Sequence, residues 1–166
     1  MDELWAPWRM EYIVRPDKGE DCFLCAAAHG SDDRARYVLW RGRSSFCLLN
    51  CWPYNNGHVM VAPLEHKADL TDLTEAELLE QVQLLRRCRA NLGAAVHPAG
   101  FNIGLNLGSA GGAGLTGHLH WHVVPRWEGD TNFMPVLADT KVIPQSLSAM
   151  WELLREVDEN RQLQGL

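Results

Sequence analysis

Three histidines alternate with apolar residues in the segment Gly117-His118-Leu119-His120-Trp121-His122-Val123-Val124-Pro125-Arg126. In a β-strand, successive side chains point to opposite faces, so His118, His120 and His122 are expected on one face, about 7 Å apart. A neutral imidazole is a nucleophile toward phosphorus, and a second imidazole can donate a proton to phosphate oxygens. The row therefore indicates nucleotidyl or phosphoryl transfer through a phosphohistidine-type intermediate.

Two other interpretations of this row are weaker. One is three solvated histidines on an exposed strand, which would leave the alternating histidines without a function. A three-histidine metal site requires ligand atoms that converge within about 2.1 Å of one point, and residues in a straight row converge poorly.

A glycine-rich loop precedes the histidines, with five glycines among the ten residues of 108–117. Without a Cβ, the backbone can approach an anion closely and surround it with N–H donors. A flexible connection between strands is the alternative, but donors that hold a phosphate must lie beside the nucleophile that attacks it. We therefore interpret the loop as a phosphate cradle.

Short apolar runs bounded by turn residues predict strands at 36–40, 45–50, 58–62, 101–107 and 118–125. The sequence Thr74-Glu75-Ala76-Glu77 has capping-box form and predicts a helix with an apolar stripe over Leu78, Val82, Leu85 and Leu92. A last helix is expected from near Pro144, with a stripe of Leu147, Met150, Trp151, Leu154 and Val157. The order β-β-β-α-β-β-α predicts an α+β fold with an antiparallel sheet.

Composition excludes several classes of partner and protein. The chain has 166 residues, which suits one domain, and its 46% hydrophobic and 22% charged residues argue against disorder. A net charge of −6 disfavours binding to nucleic acid or to an anionic membrane surface. We see no apolar run long enough to span a bilayer and no signal-peptide pattern, so we expect a cytoplasmic protein.

The triad and its surroundings resemble a known family. The segment from His118 to Val124 matches the His-φ-His-φ-His-φ-φ signature of the histidine-triad (HIT) superfamily, and Asn50 followed eight residues later by His58 is similar to its nucleoside-binding strand pair. The similarity spans about residues 20–127. The flanks, 5–13 and 127–135, resemble the bacterial branch similar to diadenosine tetraphosphate (Ap4A) phosphorylases, which predicts a single HIT domain over 1–166 with N- and C-terminal extensions.

The resemblance implies a role for each matching residue. His120 would attack the α-phosphorus, His122 would contact the phosphate or leaving-group oxygen, and His58 would support the triad from the adjacent strand. Asn50 lies where the family binds the ribose hydroxyls. The phosphates would be held by Asn106, Gly114 and Thr116, and the adenine would be walled by Phe23, Leu24, Leu48 and Cys51. This chain has Gly114-Leu115 where the commonest branch has Gln-Ser or Gln-Thr.

Cysteine spacing indicates a metal site. Cys22-x-x-Cys25 is the short ligand pair of structural zinc, and no βαβ context favours a thioredoxin-like use. Some HIT relatives complete the site with a histidine after the Gly-His strand and with the first triad histidine, positions that His66 and His118 occupy here. The alternative is that both histidines make ordinary hydrogen bonds and that the cysteines are small buried apolar residues.

The resemblance implies an enzyme that cleaves a dinucleoside polyphosphate, with phosphate or water as acceptor, and that needs no metal for the chemistry. Two alternatives remain open. One is a HIT-type hydrolase of nucleoside phosphoramidates or aminoacyl adenylates, and the other is a non-catalytic nucleotide-binding module. The family also implies a homodimer, with the long helix and the central strand at the interface.

Overall fold

The computed structural model describes residues 22–131 and 143–164, and it confirms the predicted α+β fold with an antiparallel sheet. The N-terminal flank 5–13 and residues 132–135 of the second flank lie outside the described residues. The strands are β1 (Val38–Arg41), β2 (Ser45–Leu49), β3 (Val59–Pro63), β4 (Gly100–Leu105) and β5 (Trp121–Arg126). The described α-helices are α1 (Phe23–His29), α2 (Glu75–Val96) and α3 (Leu147–Leu163).

The sheet has the strand order β1-β2-β3-β5-β4, and every neighbouring pair is antiparallel. The central strands β2 and β3 are buried along their whole length because both faces of the sheet are covered. Their side chains alternate between two cores, as the pleat of a strand requires. In β2, Cys47 and Leu49 belong to one core cluster, whereas Phe46 and Leu48 belong to the other.

The larger core lies between the sheet and the helices α2 and α3. Leu85, Cys88 and Leu92 of α2 meet Met150 and Leu154 of α3 and the inner face of the sheet. The smaller core lies on the opposite face, where α1 packs against β2 and β3. The helices α2 and α3 are also joined by a network in which Asp158 accepts hydrogen bonds from Arg87 and Asn91.

Two helix predictions need correction. The predicted stripe on α2 included Val82, which is exposed, whereas Gln81, Leu84 and Cys88 are buried instead. The shift follows from packing, because the buried face of α2 is the face that packs against the sheet. This face includes Gln81, whose Oε1 accepts a hydrogen bond from Trp121 Nε1. The last helix begins at Leu147 after an N-cap at Ser146, not at Pro144.

A third correction concerns the histidine strand. It begins at Trp121, so His118 and His120 precede β5 in irregular backbone, and only His122 lies within the strand. The predicted straight row of three imidazoles is therefore wrong, although Leu119 and Val123 are buried as expected. The sequence pattern also did not predict α1, a seven-residue helix that precedes β1.

None of the helices within the described residues combines the length and the apolar character that crossing a bilayer requires.

Candidate active site

Strands β3 and β5 bring the two histidine-bearing segments together. Met60 of β3 pairs with His122 of β5, so His58, just before β3, lies beside the end of the triad. The preceding turn is held by Asn55, whose side-chain amide donates to the Pro125 carbonyl and to Asp130 Oδ2. Gly57 adopts a φ of +70°, and a Cβ there would meet Leu92 at 3.0 Å, which explains a glycine before the histidine.

His120 has its tautomer determined by one backbone contact. Its Nδ1 lies 2.8 Å from the carbonyl oxygen of His118, and a carbonyl only accepts, so Nδ1 carries the proton. The lone pair of the neutral ring is then on Nε2. Burial lowers the pKa of His120, while the His118 carbonyl opposes this shift, so the neutral ring is favoured.

His122 and His58 form a hydrogen-bonded pair with a defined direction. The Tyr54 backbone N–H donates to His58 Nδ1 at 3.0 Å, so the proton of neutral His58 is on Nε2. That Nε2 lies 2.9 Å from His122 Nδ1 and donates to it. Neutral His122 therefore carries its own proton on Nε2. Its ring also meets the His120 ring edge-on at a centroid distance of 5.0 Å.

Asn50 is buried beside this pair. Its Nδ2 donates to His58 Nδ1 at 3.3 Å, and its Oδ1 accepts from the Trp52 backbone N–H at 2.9 Å. An amide can make both contacts because it offers donors as well as an acceptor. The residue predicted to bind ribose thus also contacts the histidine that orients His122.

The glycine-rich loop lies between β4 and the triad. Asn106 directly follows Leu105, which pairs with Trp121, the residue after His120. Gly111 allows a close approach of two backbone segments, because a Cβ there would lie 2.2 Å from the Leu107 carbonyl oxygen. Leu115 is buried in the smaller core and anchors the loop, whereas its neighbours Gly114 and Thr116 are accessible.

The residues predicted to wall the base lie at two depths. Leu24 of α1 and Leu48 of β2 are buried in the smaller core, whereas Phe23 is half-buried and Cys51 is exposed. The Phe23 ring meets the Trp52 ring edge-on at a centroid distance of 6.4 Å. The sequence pattern did not single out Trp52, which is 55% exposed.

Four candidate metal ligands meet at the opposite end of the triad. The ligand atoms of Cys22, Cys25, His66 and His118 all lie within 4.8 Å of one another, so the cluster could hold a metal ion. His118 Nδ1 lies 3.4 Å from each sulfur, and His66 Nδ1 lies 3.2 Å from Cys25 Sγ. His118 Nε2 donates to the Pro63 carbonyl at 2.9 Å, which directs Nδ1 toward the sulfurs. Ligands of one tetrahedral zinc ion lie about 3.3–3.8 Å apart, so the donor set fits zinc.

Comparison with known proteins agrees with this geometry. The family model described as HIT domain matches residues 35–129, which is more than half of the chain. The chain belongs to the HIT domain family. It is 38% identical over 161 residues to AP-4-A phosphorylase of Mycobacterium tuberculosis, an alignment that covers 93% of this chain and 83% of the relative. It is also 31% identical to a 16.1 kDa HIT-like protein of Mycoplasma pneumoniae, over 83% of this chain and 93% of that protein.

Solved HIT structures share the fold. A zinc-bound histidine triad family protein from Mycobacterium smegmatis superposes with a TM-score of 0.69 at 25% identity, and the match covers 89% of this chain and 99% of that one. Diadenosine triphosphate hydrolase of Plasmodium falciparum superposes with a TM-score of 0.57 at 21% identity, over 80% and 79% of the two chains. The latter likeness concerns the fold alone.

One residue at this HIT site was missed because its role depends on a turn. Tyr54 stacks on the His122 ring at a centroid distance of 5.4 Å and an interplanar angle of 29°. It also lies 4.6 Å from the His58 ring. The signal in the sequence was only a turn-forming run, Pro53-Tyr54-Asn55-Asn56-Gly57, which does not reveal where the tyrosine ring points.

Proposed function

We propose that this protein is an enzyme that cleaves dinucleoside polyphosphates of the Ap4A type through a nucleotidyl-histidine on His120. The single observation that carries the proposal is the 2.8 Å hydrogen bond between His120 Nδ1 and the His118 carbonyl. It leaves the lone pair on Nε2, the atom that must attack. The relation to AP-4-A phosphorylase of Mycobacterium tuberculosis supports the substrate class.

In the first step, His120 Nε2 forms a bond to the α-phosphorus, and the bond from that phosphorus to the bridging oxygen breaks. The oxygen leaves with the electron pair as the terminal phosphate of the departing nucleotide. The proton on His120 Nδ1 stays in place, so the nucleotidyl-imidazole carries positive charge. The His118 carbonyl stabilises that charge because it accepts the Nδ1 hydrogen bond.

In the second step, inorganic phosphate or water attacks the same phosphorus, and the phosphorus–Nε2 bond breaks. The attacking oxygen loses its proton to solvent, and the departing ring takes the electron pair back on Nε2, keeps its Nδ1 proton and so returns to its neutral form. Attack by phosphate would yield a nucleoside diphosphate, and attack by water would yield a nucleoside monophosphate. His122 assists both steps by donating a hydrogen bond from Nε2 to a phosphate or leaving-group oxygen, because His58 holds it in that tautomer.

The other site residues bind the substrate in this proposal. Asn50 accepts a hydrogen bond from a ribose hydroxyl, since its amide oxygen has a second lone pair beyond the one that faces Trp52 N. The base lies against Phe23 and Cys51, with Leu24 and Leu48 behind them. The phosphates are held by Asn106, Gly114 and Thr116.

We propose that the four-ligand cluster holds a structural zinc ion. When bound, zinc would supply a cross-link between α1, the segment after β3 and the start of the triad. The residues that would hold it are Cys22, Cys25, His66 and His118. The zinc-bound relative from Mycobacterium smegmatis supports the choice of metal. The chemistry at His120 needs no metal.

We also propose a homodimer built on α2 and β4. The resemblance implies a central strand at the interface, but the central strands β2 and β3 are already buried within the chain. Strand β4 is at the edge of the sheet, and Ile103 on it is 45% exposed. Leu79 and Val82, three residues apart on α2, are 60% and 47% exposed. A second copy could extend the sheet across β4 and cover these side chains. Ile103→Lys should convert the dimer into a monomer in sedimentation velocity, and a wild-type protein that sediments as a monomer would refute this assembly.

We further propose that residues 1–166 form a single HIT domain that works in the cytoplasm. The five cysteines are free thiols, which suits a reducing compartment.

Product analysis with Ap4A tests the proposed function. Incubation with inorganic phosphate should yield ADP and ATP if phosphate is the acceptor, and incubation without it should yield AMP and ATP if water is. The control is His120→Asn, which should yield neither set. Wild-type protein that leaves Ap4A intact under both conditions would contradict the polyphosphate proposal. In that case, adenosine phosphoramidate, aminoacyl adenylate and simple nucleotide binding are the next assays.

A further inference from the structure

Tyr54 makes three separate contacts with the imidazole pair that assists the reaction. Its backbone N–H donates to His58 Nδ1, and its ring lies against the His58 ring and stacks on the His122 ring. Tyr54 is 38% exposed and belongs to neither core cluster of the described residues. Its position is therefore not explained by core packing, and the two histidines are the partners that its ring covers.

The turn holds Tyr54 firmly on both sides. Before it, the Asn50 and Trp52 contacts anchor the start of the turn. After it, Asn55 is clamped to Pro125 and Asp130, and the His58 backbone N–H returns to the Asn55 carbonyl at 3.2 Å. A ring attached to so constrained a backbone loses little further freedom on stacking, so it can orient its neighbour effectively.

We infer that the Tyr54 ring is a positioning element for His122, and that it keeps this imidazole in the tautomer that presents Nε2–H to the substrate. The His122 ring can rotate about its Cα–Cβ and Cβ–Cγ bonds, and only one orientation places Nδ1 at 2.9 Å from His58 Nε2. A stacked aromatic face restricts rotation out of its plane and excludes water from the hydrogen bond between the two histidines. The backbone N–H of Tyr54 sets the tautomer of His58, and the Tyr54 ring keeps the His122 ring in the orientation in which the His58 donor sets the tautomer of His122.

Two histidines also contact the His122 ring. His58 lies before β3, and His120 meets the His122 ring edge-on from the start of β5. Neither can take over the stacking contact, because His58 is tilted by 49° to the His122 ring and His120 by 75°. Tyr54 is inclined by only 29°.

The test separates the effect of the Tyr54 ring from that of the Tyr54 backbone N–H. Tyr54→Leu keeps the backbone N–H and a similar bulk but removes the aromatic face, and Tyr54→Phe keeps the face and removes the hydroxyl. The inference rests on the proposed function, and we expect Tyr54→Leu to lower kcat on Ap4A about 10-fold with KM within about 3-fold of wild type. Tyr54→Phe should recover most of that loss.

A spectroscopic measurement makes the outcome independent of activity. Proton–nitrogen correlation spectra of labelled protein report which ring nitrogen of each histidine carries the proton. Wild type and Tyr54→Phe should show the Nε2–H tautomer at both His58 and His122. In Tyr54→Leu, His58 should be unchanged, because the backbone donor remains, while His122 should become a mixture of tautomers.

Several results would overturn the inference. They are an unchanged His122 tautomer in Tyr54→Leu, a kcat of Tyr54→Leu equal to that of wild type, or a defect in Tyr54→Phe as large as in Tyr54→Leu. If Tyr54→Leu does not fold, Tyr54→Met serves in its place, since methionine is long, flexible and apolar but has no aromatic face. If wild type itself does not cleave Ap4A, the proposed function fails, while the tautomer comparison still decides the role of the ring.

Discussion

The two ends of the histidine segment place the same side chain in different surroundings. His118 turns Nδ1 toward two sulfurs and donates its Nε2–H to the Pro63 carbonyl, deep in a cluster of metal-type ligands. Four residues later, His122 turns Nδ1 toward His58 and has an aromatic ring stacked on it. The neighbours of each imidazole, not its residue type, therefore distinguish the two rings: one lies among metal-type ligands, and the other, in the proposed function, faces the substrate.

His120 lies between the two ends and depends on both. It receives its tautomer from the backbone of His118 and packs edge-on against His122. A disturbance at the metal-type end should therefore appear mainly as lost stability, and a disturbance at the other end mainly as lost turnover. The following predictions test that division, from the largest expected effect to the smallest.

Replacing the proposed nucleophile, His120, should have the largest effect. His120→Asn should lower kcat/KM on Ap4A at least about 10³-fold, because no other described side chain presents a comparable lone pair at that position. Affinity for AMP, measured by calorimetry, should change only a few-fold. Comparable activity in wild type and His120→Asn would show that the nucleophile is assigned wrongly.

Removing a candidate metal ligand should mainly cost stability. Cys25→Ser should lose bound zinc, measured by atomic emission, and about 3 kcal/mol of unfolding free energy, as expected for loss of a tightly bound ligand. The control is Cys51→Ser, because Cys51 is exposed and outside the cluster, and this variant should keep its metal content. Wild-type protein that is purified without metal, and whose stability does not change when a chelator is added, would contradict the zinc proposal.

Breaking the histidine pair should cost turnover rather than stability. His58→Leu should lower kcat about 10²-fold, because His122 loses the donor that holds its tautomer. His58→Gln should lie between His58→Leu and wild type, since its amide N–H can replace the donor at Nε2. Equal activity of the glutamine and leucine variants would indicate that the hydrogen bond is not what matters.

The smallest expected effect concerns the N-terminus of α2, which braces the loop that carries His66. Glu77 completes the capping box with Thr74 and pairs with Lys67, the residue after His66, at 2.5 Å. The contacts with Lys67 and Thr74 lower the pKa of Glu77 to about 2. Glu77→Gln should destabilise the protein by at most about 1 kcal/mol at neutral pH, because glutamine can keep the capping box and only the ion pair with Lys67 is lost.

The pH dependence of that effect follows from its sign. A carboxylate whose pKa is depressed on folding contributes stability that is present above its unfolded pKa. The contribution decreases as pH falls from about 4.5 toward 2, so wild type and Glu77→Gln should converge in urea titrations across this range. A difference that is constant with pH would mean that the charge of Glu77 is not involved.

Much of the fold was predictable because periodicity and capping are local properties. The five strands, the long helix after Thr74 and the C-terminal helix all lie within a few residues of their predicted positions. Two kinds of feature were not predictable. The helix α1 was missed because it has only seven residues, and the straight row of histidines was wrong because the chain is irregular until Trp121. Both depend on contacts with residues far away in the sequence.

The sequence by itself determined the kinds of chemistry available: three alternating histidines, a glycine-rich loop beside them, and a Cys-x-x-Cys pair with two further histidines. Residue type and spacing suffice for this, because they decide which atoms can attack, donate or bind. Only the tertiary structure decided which nitrogen of each ring carries the proton, since that depends on the His118 carbonyl, the Tyr54 backbone N–H and the Pro63 carbonyl. It also decided that Tyr54 covers His122, because the direction of a side chain in a turn is set by long-range anchors such as Asn55 on Pro125.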